Sequence, residues 1–184
     1  MSMLVGRRTL LKQMVFASAG MLLVPSCMED RSKASILVKN FAINTDQEAL
    51  LAELSESIIP KTDTPGAKDI YAHLFALKML DDCRSKEDQE KFVKGLEAFE
   101  AFAKEKTGKT FMKSDAKERA SVIDALEKDS EGEDEKHFFY STMKRYTVKA
   151  YTTSKFYLTN VQVYEMVPSR WHGCVPVTKS PMIL

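Results

Sequence analysis

The 184 residues include only seven glycines, three histidines and three cysteines, and each scarcity removes a class of chemistry. No two of the glycines (Gly6, Gly20, Gly66, Gly95, Gly108, Gly132, Gly173) stand at the G-x-G spacing of a dinucleotide-binding turn, where the backbone must approach a pyrophosphate closely. His73, His137 and His172 are far apart, no C-x-x-C-H haem attachment site occurs, and the dispersed Cys27, Cys83 and Cys174 give no metal-binding pattern. Charge of one sign is also lacking. There are 27 basic and 26 acidic residues, for a formal charge of +1, and three of the cations (Arg7, Arg8, Lys12) fall in the first dozen positions. Without those three, 24 basic residues face 26 acidic ones, a charge of −2, so nothing electrostatic favours nucleic acid as a partner. Past the N-terminal stretch no apolar run reaches the roughly 20 residues of a membrane helix. What is present is ample core material: 44% hydrophobic residues and ten Phe, enough for one folded domain.

The first 26 residues read as an export leader. Gly6-Arg7-Arg8-Thr9-Leu10-Leu11-Lys12 resembles the twin-arginine consensus, with Gly6 in place of the usual Ser or Thr and Leu10 in place of Phe. The apolar stretch Met14 to Val24 that follows is short and diluted by Ala17, Ser18, Ala19 and Gly20. Leu23-Val24-Pro25-Ser26-Cys27 then resembles a lipoprotein cleavage site, with Ser26 as the small residue before the lipid-accepting thiol and Pro25 atypical there. On this reading Cys27 carries acyl chains, residues 27–44 form a tether, and the chain sits in the periplasm, anchored to a membrane without crossing it. Lipid on Cys27 leaves Cys83 and Cys174 as an even pair in an oxidising compartment. They are candidates for a disulfide with each other, or for a crosslink to a partner.

Residues 45–184 read as an all-α domain of about five helices with an irregular, extended C-terminal tail. Thr45-Asp46-Gln47-Glu48 has the form of a capping box, followed by Leu50, Leu51, Leu54 and Ile58 at helical spacing and a stop at Pro60. A second helix is expected from Asp69 to Asp82. A third should run from a Ser85 cap to about Lys106, with Gly108 as its stop. A Ser114-capped fourth carries Ala116, Ala120, Ile123 and Leu126, an acidic break follows at 129–136, and a fifth spans about Lys136 to Thr153. Phe92, Phe99, Phe102, Phe138 and Phe139 read as core. The tail from Asn160 contains Pro168, Pro176 and Pro181.

Two segments carry a family resemblance. Glu56-Ser57-Ile58-Ile59-Pro60-Lys61-Thr62-Asp63-Thr64-Pro65-Gly66-Ala67 is similar to the I-I-P-x-T-D-T-P-G-A stretch of the gluconate 2-dehydrogenase subunit 3 family. Tyr164-Glu165-Met166-Val167-Pro168-Ser169-Arg170-Trp171-His172-Gly173-Cys174 is similar to that family's closing Y-x-x-x-P-G-x-Y-x-G-C element, with Ser169 where Gly is commoner and Trp171 where Tyr is. The leader and the order of helices agree as well. The resemblance implies a small, non-catalytic subunit that pairs with a large glucose-methanol-choline type flavoprotein, often beside a multihaem cytochrome c. The large subunit would hold FAD and oxidise a sugar or sugar acid. The small one would serve its maturation and supply the leader for twin-arginine export, holding no cofactor of its own.

Within the first motif, Asp63 has two readings: a catalytic carboxylate, or a cap accepting N–H groups near Thr64 to Gly66. A Pro-bounded loop is also a good docking surface, because little entropy is lost on binding. Pro60, Thr62, Asp63, Thr64, Pro65 and Gly66, with Tyr164, Pro168, Trp171, His172 and Gly173, are therefore the expected partner interface. Trp171, the lone Trp, is equally suited to a binding hot spot or to pinning the tail. His73 falls inside a helix. His172, beside Trp171, has no acid–base companion at known distance. The rival readings are a free-standing periplasmic hydrolase using Asp63 and His172, and a lipid-anchored binding protein with no dehydrogenase partner.

Overall fold

The computed structural model describes residues 34–128 and 134–162. Among them every regular element is helical, as the sequence implies. In chain order the helices are α1 (Thr45–Ile58), α2 (Ala72–Cys83), α3 (Lys86–Thr107), α4 (Ala116–Lys128) and α5 (Glu135–Thr152). A 3-10 turn, Phe111–Lys113, precedes α4, and a π-helical turn, Tyr157–Val161, follows α5. No helix among the described residues is long and apolar enough to cross a membrane.

Local side-chain chemistry accounts for most helix ends, though two caps sit one residue from the expected position. The α1 cap is Asn44, not Thr45: its side chain accepts from Gln47 N at 2.8 Å and Gln47 Oε1 accepts from Asn44 N at 3.0 Å. An extended backbone at Asn44 puts the shorter reach there, and Glu48 is left for another task. Likewise Asp115 replaces Ser114 at the start of α4, accepting from Glu118 N at 2.8 Å while Glu118 accepts from Asp115 N. Ser85 caps α3 as expected, and Gly108 ends that helix in the left-handed region (φ 72°), where a glycine has no Cβ to strain. Asp134 caps α5. The second helix starts at Ala72, not Asp69, because Tyr71 itself adopts a left-handed conformation (φ 56°) that helical hydrogen bonding cannot continue through.

Helix α5 lies at the centre, packed against α3, α2 and α1. Phe92, Phe99 and Phe139 are fully buried as expected and interlock, with ring centroids 4.9 Å apart for Phe92–Phe139 and 5.4 Å for Phe99–Phe139. Phe111 of the 3-10 turn extends the stack against Phe99 at 5.1 Å. Phe102 and Phe138 only edge this core and carry Lys106, Lys136 and Lys91 over their faces. In α4 the inward stripe is Val122, Ile123 and Leu126, whereas Ala116 and Ala120 face water. Asn160 and Val161, expected at the start of an extended tail, belong to the π-helical turn.

Residues 34–44, in the second half of the stretch expected as a tether, are held on this body. Ala34, Ile36, Val38 and Phe41 pack against the core, and Ile43 is buried in it. The polar counterpart is Asp81 of α2, itself buried, whose carboxylate accepts from Lys39 N, Asn40 N and Asn40 Nδ2 at 2.9–3.1 Å. Burial opposes charge on this carboxyl, but the N–H groups of Asn40 and Lys39 and the Asn40 amide outweigh it and hold its pKa below the ordinary carboxylate range. A carboxyl whose folded pKa lies below its unfolded one stabilises the fold above the unfolded value, near pH 4, and that contribution disappears as pH falls through the folded value. Asp81→Ala should therefore cost about 2–3 kcal/mol at neutral pH. In urea melts the gap from wild type should narrow as the pH is taken below 4. A gap independent of pH would contradict this assignment.

Candidate functional site

The first motif runs from the last turn of α1 into a loop, residues 59–71, between α1 and α2, and two carboxylates on a single face of α1 carry that loop. Glu56 reaches both ends: Oε1 accepts from Lys61 N at 2.8 Å and Oε2 from Lys68 N at 2.9 Å. Gly66 is buried directly over this carboxylate, and a Cβ added there would lie 2.4 Å from both oxygens. A side chain at this position would have to displace the Glu56 carboxylate from the two N–H groups it accepts. Glu53, one helical turn earlier, pairs with Lys68 and, at 2.7 Å, with Arg119 of α4. The Lys68 hydrogen bond lowers its pKa most; burial opposes this and Arg119 adds to it. Arg119 also donates to the carbonyls of Phe111 and Met112, both at 3.0 Å, so the loop is tied through Glu53 to the 3-10 turn.

Within the loop the backbone closes on itself. Ala67 N donates to Ile59 O at 2.9 Å and Thr62 N to Thr64 O at 3.1 Å. Gly66 N donates to Asp69 Oδ2 at 3.2 Å, and Lys61 Nζ meets the same oxygen at 3.0 Å. Those two contacts, Lys61 first, hold the Asp69 carboxyl below its usual range. Asp63 does not cap its own turn, which corrects the capping reading: Asp69 and the Thr62 hydroxyl receive the N–H groups of Gly66 and Thr64. The physical reason is reach, since Asp69 comes back across the turn from beyond it. Asp63 is exposed, as are Pro60 and Thr62, whereas Thr64 and Pro65 are half-buried.

The loop also meets the end of α5. Ala67, Ala72 and Ala150 form a small second core with Ile59, Ile70 and Phe75 around it. The Tyr151 hydroxyl donates to Thr64 Oγ1 at 3.3 Å, and the Tyr151 ring packs edge-on to Phe156 and Tyr157. Tyr71 presents its ring to water at 65% exposure from a left-handed backbone, a conformation disfavoured for a bulky residue. Next to it, His73 is buried, its Nε2 4.0 Å from Glu48, and burial lowers its pKa against the opposing effect of Glu48. Glu48 meanwhile takes Ser35 N at 2.6 Å and the Ser35 hydroxyl.

Of the expected interface residues in this loop, Pro60, Thr62 and Asp63 are thus exposed, Thr64 and Pro65 half-buried and Gly66 buried, on a support made by α1, α4 and the end of α5. Tyr164, Pro168, Trp171, His172, Gly173 and Cys174 lie outside the described residues, as do Arg7, Arg8 and Cys27. Cys83 is exposed at the end of α2. Among the described residues no group of three or more His, Cys, Asp or Glu side chains converges as a metal site would need. Sequence reasoning missed Glu53, Lys68, Arg119, Tyr71 and Tyr151. The one available signal was the pair Glu53 and Glu56, spaced to share a face of α1 just before the loop.

The profile described as gluconate 2-dehydrogenase subunit 3 matches residues 45–168, well over half of the chain. The chain belongs to the gluconate 2-dehydrogenase subunit 3 family. Neither a curated protein nor a solved structure was found to match it. The family match begins at the first residue of α1 and contains the whole 59–71 loop.

Proposed function

We propose that this chain is the non-catalytic small subunit of a periplasm-facing, FAD-dependent sugar or sugar-acid dehydrogenase, and that loop 59–71 is a docking surface for the large flavoprotein. The family's name makes the chain a subunit of a dehydrogenase. The observation that carries the docking role is the investment of internal contacts in a solvent-exposed loop. Glu56, Gly66, Asp69 and Tyr151 immobilise a segment whose Pro60, Thr62 and Asp63 face water. A surface ordered before binding loses little entropy when a partner arrives.

The maturation role follows from linkage. A subunit that binds only the folded, FAD-loaded partner stabilises that state by mass action. If the leader with Arg7 and Arg8 is shared, only assembled pairs are exported, after which Cys27 anchors the complex by lipid. A haem c subunit is the natural electron acceptor beside such a pair. Deleting this chain should leave the flavoprotein inactive or inside the cell, and restoring it on a plasmid should return sugar oxidation to the periplasm. Full periplasmic activity in the deletion strain would refute the proposal.

A further inference from the structure

Most charges in and around loop 59–71 are met from within the fold. Lys61 faces Asp69 at 3.0 Å, Lys68 faces Glu53, and the Glu56 carboxylate is occupied by two backbone N–H groups. Asp63 alone among the loop's charged residues has no hydrogen bond or ion pair with any described residue, and it is exposed. Its backbone is nevertheless held on both sides, since Thr62 N donates to Thr64 O and Thr64 is bound in turn by Tyr151. Among the described residues, Asp63 is thus a carboxylate without a partner, presented from a backbone braced on both sides.

An anion placed this way selects its complement by charge. It favours approach of a cation, repels an acid, and fixes the register of the contact. We propose that Asp63 is the electrostatic anchor of the docking face, receiving an arginine or lysine side chain of the dehydrogenase partner. This rests on the docking reading given above and adds the chemistry of the contact.

The test uses the full chain as wild type, Asp63→Asn and Glu97→Gln; Glu97 is an exposed acid on α3, outside the loop. Each is titrated onto the FAD-containing dehydrogenase that tagged wild-type chain recovers from native membranes, after separation in high salt. Asp63→Asn should raise Kd about tenfold at low salt, and the difference should fade as NaCl screens the pair. Glu97→Gln should bind like wild type, and all three proteins should share one melting temperature and one turnover number when the subunit is saturating. A wild-type Kd and salt dependence for Asp63→Asn would overturn the anchor while leaving docking intact. An equal loss in Glu97→Gln, a lowered melting temperature in Asp63→Asn, or a loss of turnover with Kd unchanged would overturn it too, the last by placing Asp63 in the chemistry. If even wild-type chain binds no flavoprotein, the docking reading falls and the anchor with it.

Discussion

Changing both Arg7 and Arg8 to lysine should strand the dehydrogenase activity inside the cell. The substitution keeps both positive charges but replaces two planar, five-donor guanidinium forks with point-charge ammoniums, and periplasmic activity should fall by more than about tenfold if the forks are what is recognised. A general secretory leader needs only a positively charged n-region, so it would tolerate the change. On the proposed function, in which the pair assembles before export, the expected companion result is flavoprotein accumulating in the cytoplasm together with this chain. Fractionation followed by a sugar-dependent dye reduction assay reads both quantities. Undiminished periplasmic activity in the double-lysine strain would assign the leader to the general route, and the link between folding and export would go with it.

The second large effect concerns the body of the protein. Gly95 lies inside α3, where alanine ordinarily stabilises a helix by roughly 0.5–1 kcal/mol relative to glycine. Here the sign should reverse. A Cβ at Gly95 would stand 2.2 Å from the carbonyl oxygen of Glu135 and 2.7 Å from Cβ of Phe139. Neither obstacle is a flexible side-chain end: Glu135 is the first residue of α5, and Phe139 is clamped between Phe92 and Phe99. Helices α3 and α5 must move apart, so Gly95→Ala should lose about 3 kcal/mol, which corresponds to roughly 10 °C in melting temperature. Gly108→Ala is the contrasting case. It meets nothing within 4 Å but sits at φ 72°, so only the backbone penalty, about 1 kcal/mol, applies. Thermal melts followed by circular dichroism rank the two, and a Gly95→Ala protein as stable as wild type would mean that the helices are not in such close contact. Because the end of α5 supplies Ala150 and Tyr151 to the loop, separation of α3 from α5 should also loosen loop 59–71.

Features encoded within a few residues were legible in advance. Apolar residues at three and four, a Ser before Lys86 and a Gly after Thr107 located the helices and their order, because helical periodicity and capping are local properties. The caps of α1 and α4 shifted by one residue because Asn44 and Asp115 compete with Thr45 and Ser114 for the same N–H groups, and adjacent polar residues do not announce the winner. The motif from Ile59 to Ala67 was likewise visible as a rigid, Pro-bounded turn.

Three-dimensional packing alone decided what the turn rests on. Glu56 bonds Lys68 across 12 positions, Asp81 holds Asn40 across 41, and Tyr151 reaches Thr64 across 87. None of these pairings has a sequence period, since each depends on where whole helices come to lie. For the same reason Gly95 looked like an ordinary glycine until α5 was laid against it. Local chemistry in the chain determined the helices and the shape of the loop. The tertiary structure determined what braces the loop, and that among the described residues Asp63 is the one charge on it with no partner.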